Sequence, residues 1–460
     1  MTRDLSIVTI ETKSLGDRSY LVHDGEVAFV VDPQRDIDRV LSLLDRHGVG
    51  LTHVFETHVH NDYVTGGLAL ARRTGATYHL NGADQVAFER TPVGDGDVVE
   101  VGGRMRLAVV ATPGHTFTHL SYVLHDATAP DAGPVAAFTG GSLLYGATGR
   151  PDLLGPEHTD ELVRAQHAST HRLADPLPDE TELFPTHGFG SFCSATQSEA
   201  TESTIGRERA TNPALTLDEE AYVSELLAGL GDFPAYYAHM GPANQDGPDE
   251  PDLTAPALAD PAELRRRIET GEWVVDLRSR RLFAAGHAPG SLNFGLDGSF
   301  VTYLGWLIPW GTPLTLLAET AEDVALAQRE LVRIGIDRPA AAATGTPEEW
   351  SDRPLSSFAT ATFADLAEVR HHREVVILDV RRSDEHAKAT ITGAVNIPLH
   401  ELWSRLDEVP HGEVWVHCAG GYRASVAASM LDAAGRTPVA VDDSFDNAEK
   451  VGLHLVGSQA

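Results

Sequence analysis

The stretch ETHVHNDYVTGG, residues 56–67, sets His58, His60 and Asp62 at alternate positions directly after the β-type run THVFE. Imidazoles and a carboxylate converging where a strand ends are what a divalent first-row metal requires. Further on, ATPGHTFTHLSYV supplies His115 in a Pro-Gly turn, and FPTHGFGS supplies His187 ahead of another Gly-rich loop. One histidine is more often structural, but four at strand ends with turn chemistry point to a site. A second reactive pattern lies far downstream. EVWVHCAGGYRASVAASMLDAAG runs from an apolar strand through a glycine loop into a helix starting near Arg423, so Cys418 sits at a strand end facing a helix N-terminus. Unpaired N–H groups and the helix dipole there favour a thiolate near neutral pH. Arg423 adds a fixed positive charge, and Gly420 and Gly421 let the backbone turn its N–H groups inward.

The elements that must position these residues alternate between strand and helix. LSIVTIE, SYLVHD, EVAFVVDP, THVFETH, RLAVVATPGH and PVAAFTG read as strands, and DIDRVLSLLDRHG and GGLALARRTG read as helices that end at Gly. A helical stretch over 216–239 precedes GPANQDGPDEPDLTAP, residues 241–256, whose Pro, Gly and acid content marks an interdomain linker. Beyond it the chain repeats itself at an offset of 103: Asp276 aligns with Asp379, Arg278 with Arg381, Gly290 with Gly393 and Asn293 with Asn396. The resulting expectation is an α/β multidomain chain: a domain over 1–243, a linker over 244–256, and duplicated α/β domains over 257–352 and 353–460. Four hundred and sixty residues allow this, being too many for one ordinary core.

Composition removes some functions. Sixty-seven Asp plus Glu against 35 Lys plus Arg give a net charge of −32, which repels phosphate backbones and anionic lipid. Nucleic acid and membrane are therefore not expected as partners. Only Cys193 and Cys418 are present, so a disulfide framework is not expected and a reducing compartment is. No window is apolar over the ~18 residues that a membrane span needs, so the chain is read as soluble and cytoplasmic. Homo-oligomerisation stays open.

CAGGYR, residues 418–423, resembles the six-residue active-site loop Cys-x-x-Gly-x-Arg of the rhodanese sulfurtransferases. The resemblance implies that Cys418 accepts a sulfane sulfur from thiosulfate or a thiol persulfide and holds it as a cysteine persulfide. Ala419, Gly420, Gly421 and Tyr422, with Arg423, would cradle the anionic sulfur. The first copy carries Ala318 near the Cys position and resembles an inactive rhodanese domain.

Residues from about 5 to 240 resemble the metallo-β-lactamase fold, an αββα sandwich. That family's THxHxDH reads THVHNDY here, with Tyr63 for the last His, and its FTGD reads FTGG, with Gly141 for the shared Asp. A two-metal hydrolase of the hydroxyacylglutathione or β-lactam type is therefore disfavoured. The pattern and the fusion to rhodanese domains are similar to persulfide dioxygenases, which use one Fe(II). Their iron positions match His58 and His115 plus the missing Asp. His60 could complete the site, or Asp62 or His187 could move in, or the domain could be metal-free. The cofactor expectation is thus one Fe(II) per chain, with Zn as the alternative.

The implied activity converts a low-molecular-weight thiol persulfide and O2 to sulfite, coupled to thiosulfate sulfurtransfer through Cys418. Two other readings stand beside it: a metal-dependent thioester hydrolase, and a metal-free binding module with sulfur transfer as the only activity. Arg150, in GRPDLLG with Asp152, is the candidate for binding an anionic thiol substrate. Cys193 reads as a packing residue, and His119, His125, His371 and His372 as structural or solvated.

Overall fold

The computed structural model describes residues 5–196 and 200–457. The chain forms two compact units, Met1–Pro251 with Leu331–Gly335, and Asp252–Glu330 with Ile336–Ala460.

In the first unit, six strands from Ser6–Thr12 to Thr91–Val93 form one sheet in sequence order. A second sheet runs Glu182–Pro185, Pro134–Gly140, Leu120–Asp126, Met105–Ala111, Val98–Val101. Alternation along the strands divides the core. Leu21 and Val30 face Val40 and Leu44 of helix Asp38–His47 and Leu68 and Leu70 of helix Gly67–Thr74. Their neighbours Tyr20, Val22, Phe29 and Val31 point the other way, onto Leu107, Tyr122 and Phe138 of the second sheet. That sheet's outer face, with Val123, Ala137 and Leu183, is covered by Leu173 and Ala174 of helix Thr159–Ala174. The layering is αββα, as the sequence leads one to expect.

The candidate ligands all follow strand ends. His58 and His60 come after Gly50–Phe55, His115 after Met105–Ala111, Gly141 after Pro134–Gly140 and His187 after Glu182–Pro185.

The second unit holds two parallel sheets. One runs Leu292–Asn293, Trp273–Asp276, Leu314–Ala318, Ala341–Thr344. The other runs Ala359–Ala361, Thr437–Val441, Glu413–His417, Val376–Asp379, Val395–Asn396. The four repeated identities have one physical cause. Arg278 forks onto Asp276 (Nε–Oδ1 3.0 Å, Nη2–Oδ2 2.6 Å), and Arg381 onto Asp379 (2.9 and 2.7 Å). The Asn293 amide donates to the carbonyls of Asp276 and Arg278 (3.1 and 3.0 Å), and Asn396 does the same to Asp379 and Arg381 (2.9 and 3.0 Å). Gly290 and Gly393, at φ 85° and 87°, make the turn that a side chain would resist. Each copy thus uses a buried ion pair and an amide to fix the turn after its central strand.

The linker begins later than the composition indicates. Helix Tyr237–Asp246 runs through residue 244. Asn244 donates to the carbonyls of His60 (2.8 Å) and Tyr63 (2.9 Å) and accepts from the Thr65 N–H (2.9 Å). A residue that closes the histidine loop belongs to the first unit, which extends to Pro251.

Candidate metal centre and sulfur-transfer loop

Helix Gly67–Thr74 cannot start until residue 67, so the chain from Glu56 to Gly66 must find partners for its own polar groups. Asp32 supplies those at the segment's start. Its carboxylate accepts the Thr57 N–H (2.7 Å) and hydroxyl (2.8 Å) and the Thr186 hydroxyl (2.5 Å), with the backbone held at φ 50°. Because the Thr57 hydroxyl proton goes to Asp32, Thr57 Oγ1 accepts from His58 Nδ1 at 2.9 Å. His58 therefore presents the lone pair of Nε2. His115 is fixed in the same tautomer: the Arg150 carbonyl, 2.8 Å away, can only accept from Nδ1–H. Its Nε2, fully buried, meets no hydrogen-bond partner among the described residues. His187 Nδ1 lies 2.9 Å from Asp17 Oδ1 and 3.2 Å from Asp62 Oδ2, leaving Nε2 3.4 Å from His58 Nε2. Three imidazoles are thus held by a hydroxyl, a carbonyl and carboxylates at Nδ1, the arrangement that orients metal-binding histidines.

His58, His60 and His187 each offer a ligand atom within 4.8 Å of the others, and so do His115, His187 and Cys193. This buried set of nitrogen and sulfur donors fits a divalent first-row metal. The carboxylate position of the resemblance does not. A Cβ built on Gly141 would stand 2.3 Å from His115 Cδ2, so the imidazole fills the space that a side chain there would need.

Charge separates the histidines. Burial, then the neighbouring imidazoles His60 and His115, hold His58 well below the ordinary range; burial, then His187, brings His115 down to about 3. Burial opposes protonation of His60 too, but Asp32 and Glu56 overcome it and raise the group to about 9. Asp62 and Asp17 overcome burial in the same way at His187 and raise it to about 10.

Several sequence expectations change here. His60, the expected third ligand beside His58 and His115, has Nε2 committed to Asp32 Oδ1 (3.2 Å), Glu56 Oε2 (3.3 Å) and the Tyr63 hydroxyl (3.0 Å). Only its Nδ1 is without a hydrogen bond among the described residues. His187, ranked lower, aims Nε2 at His58 Nε2 and lies within ligand distance of His115 and Cys193. Asp62 lies against His187 rather than among the Nε2 atoms. Arg150, the candidate for binding an anionic thiol substrate, is engaged within the first unit. It is 3% exposed, and its guanidinium is taken by Asp152 (2.7 and 2.8 Å), the Phe192 and Gly231 carbonyls and the Phe233 ring. His119 is structural, as expected, but within the site: its Nε2 accepts the Gly141 N–H at 3.0 Å.

In the second unit, Cys418 follows strand Glu413–His417, and helix Tyr422–Ala433 begins four residues later. Its Sγ, 2% exposed as a residue, accepts the Gly421 N–H at 3.1 Å. Gly421 takes φ 93°, which turns that N–H inward. Ala419 and Gly420 are exposed at the rim. Arg423 forks onto Glu385 (2.5 and 2.8 Å), so the guanidinium ties the loop to helix Ser383–Lys388 and its charge is partly compensated. The equivalent position of the first copy follows from register: Leu317 pairs with Asp276 as His417 pairs with Asp379, so Ala318 corresponds to Cys418.

Residues 362–449 match the rhodanese-like domain family. The N-terminal half is similar to the mitochondrial persulfide dioxygenase ETHE1 of Bos taurus, 31% identical over 224 residues, covering 47% of this chain and 75% of that one. It is also similar to the hydroxyacylglutathione hydrolase of Chromohalobacter salexigens, 33% identical, covering 43% of this chain and 80% of the other. The chain belongs to the metallo-β-lactamase-fold family of persulfide dioxygenases and hydroxyacylglutathione hydrolases. A solved metallo-β-lactamase of Staphylococcus aureus subsp. aureus COL, 27% identical, overlays with a TM-score of 0.67 over 74% of this chain and 99% of its own.

Sequence reasoning missed Asp32, Thr57, Thr186, Asp17, Glu56 and Asn244. Asp32 left a signal, an acid at the end of the strand run EVAFVVDP. Asn244 left none, since it sits in a stretch of linker composition.

Proposed function

We propose that the first unit binds a low-molecular-weight thiol persulfide at its histidine cluster and oxidises the outer sulfur to sulfite with O2. Cys418 then exchanges sulfane sulfur between thiosulfate and a thiol. The chain is an enzyme of sulfur metabolism. The observation that carries the reading is a buried, lone-pair-bearing His115 Nε2 beside His58, on the same chain as a thiol seated under a helix N-terminus.

Iron(II) in this reading would be held by His115 and His187, with His58 beside them, and would supply affinity for anionic sulfur and the electron chemistry that O2 requires; zinc, the alternative, would supply Lewis acidity without redox chemistry. The chain's own contribution is orientation and dryness. The Arg150 carbonyl and Thr57 fix two rings in the ligating tautomer, and their near-complete burial excludes bulk water. In the second unit, attack of the Cys418 thiolate on the outer sulfur of thiosulfate forms a cysteine persulfide and breaks the S–S bond, with sulfite leaving. The Gly421 N–H and the helix N-terminus stabilise the anionic sulfur. The reverse step makes thiosulfate from sulfite. Joining both on one chain raises the local concentration of sulfite at the second site. The two unpaired cysteines fit a reducing cytoplasm, and no helix among the described residues is long and apolar enough to cross a membrane.

The test separates the units. Cys418→Ser should abolish thiosulfate-dependent sulfur transfer and leave O2 uptake with glutathione persulfide; His58→Ala should do the opposite. Loss of both activities in Cys418→Ser would leave sulfur transfer as the only chemistry. The hydroxyacylglutathione hydrolase relatives favour a second reading, thioester hydrolysis. It needs a second metal where this chain has Gly141 and Tyr63, and it predicts turnover of S-lactoylglutathione with two zinc ions per chain.

A further inference from the structure

The relatives' pattern supplies an anionic ligand from residue 141, and here that space is filled by an imidazole. A thiol close to the same ring nitrogens comes from a different loop; burial and the Asp62 and Asp17 carboxylates push it up, so it becomes an anion only against a cation. Cys193 is fully buried on the segment after His187, and its Sγ lies with ligand atoms of His115 and His187 inside a 4.8 Å envelope. The loop is anchored for this position. The Cys193 N–H donates to Ser191 Oγ (3.2 Å), and its carbonyl accepts the Arg150 N–H (2.8 Å), next to the carbonyl that orients His115. Independently of the cysteine, His115 Nε2 is a buried acceptor with no partner among the described residues. An acceptor left this way is costly unless something with an empty orbital or a proton meets it.

We propose that Cys193 is a metal ligand, completing with His115 and His187 a histidine–histidine–thiolate site that replaces the carboxylate lost at position 141. The inference rests on the reading that the first unit binds a metal, and it adds which atom supplies the negative charge. Metal–nitrogen and metal–sulfur bonds of roughly 2.0–2.3 Å place ligand atoms about 3.5 Å apart, so the observed envelope closes with side-chain adjustments of about 1 Å. On binding, the thiol proton leaves to solvent and the sulfur keeps the electron pair that it gives to the metal. A thiolate in this position selects softer ions than a carboxylate would.

The experiment is a Co(II) titration of the full chain under argon in a Cys418→Ser background, where Cys193 is the only thiol, beside the same chain with Cys193→Ser or Cys193→Ala. Circular dichroism and thermal melts check that each variant is folded. The expected result is one Co(II) per chain, a sulfur-to-cobalt charge-transfer band in the near ultraviolet, and loss of that band in both Cys193 variants with at least about tenfold weaker binding. Stoichiometric Co(II) without the band, bound equally well by the Cys193 variants, would overturn the proposal while leaving the metal reading intact. No Co(II) bound by the Cys193-containing chain would overturn both.

Discussion

Restoring the family carboxylate, by Gly141→Asp, is the change that a sequence comparison recommends, and the structure predicts that it harms the protein. A Cβ at position 141 would lie 2.3 Å from His115 Cδ2 and 2.7 Å from Cγ. Ordinary contact requires the ring to retreat by about 1 Å. The ring has no room, because Gly149 lies against its other flank, where a built Cβ would stand 2.7 Å from Nδ1. Retreat also breaks the Nδ1–H bond to the Arg150 carbonyl. Overpacking of this kind costs about 1–3 kcal/mol and the lost hydrogen bond about 1 more. At ~2–4 °C per kcal/mol for a unit of this size, the melting temperature of the first unit should fall by roughly 5–15 °C. Gly141→Ala should show the same loss without any new carboxylate, and Gly149→Ala a similar one from the opposite side. The assay is scanning calorimetry of the three variants, paired with metal titration. If Gly141→Asp melts with the wild type and binds metal more tightly, then the ring is displaceable, position 141 is a vacant ligand seat, and the reasoning fails.

Asn244→Ala removes three hydrogen bonds that close the histidine loop and should cost about 2–4 kcal/mol; hydrogen exchange at the Thr65 amide should rise with it. Burial would raise the Asp379 carboxyl, but Arg381, His417 and His386 hold it below its ordinary value. Its contribution is therefore present above about pH 4 and lost as pH falls through the lower folded value, and Asp379→Asn should flatten that acid limb in melts across pH. Gly298→Ala places a Cβ 2.2 Å from the Tyr422 ring, so it should slow alkylation and sulfur transfer at Cys418 about tenfold or more from a position in the copy that has no cysteine.

The fold was legible because its signals are local. Alternating apolar residues such as Leu21 and Val22 assign sheet faces, and Gly48 and Gly75 stop helices where the periodicity ends. The repeat was legible because a buried Asp–Arg fork tolerates few substitutes at either copy. The Cys418 loop was legible because one contiguous segment supplies its strand end, its glycine turn and its helix start. The candidate metal centre was only half legible, because its geometry depends on pairings far apart in sequence. Nothing in THVHNDY shows that His60 turns to Asp32, nor that His58 borrows Asp32 through Thr57. Cys193 is buried, as a packing residue is, and nothing in the sequence shows that its sulfur lies within ligand distance of His115, 78 residues away.

The copy without a cysteine is packed onto the Cys418 loop of the second copy. The helix that follows the Cys418 loop is pinned by it at several points. The Tyr422 hydroxyl donates to the Gly295 carbonyl (3.1 Å), Ser425 Oγ to Asn293 Oδ1 (3.1 Å), and the Asn293 N–H to Ser429 Oγ (3.0 Å). Arg280 and Arg281 both bond Asp442 (2.7 and 2.8 Å), whose carboxylate lies against Gly421. Asn293 is itself one of the repeated residues, so one amide fixes the turn of its own copy and the helix of the other. The Gly421 N–H meets the Cys418 sulfur only while the helix start stays in place. The cysteine-free copy supplies that constraint through Gly295, Asn293, Arg280 and Arg281.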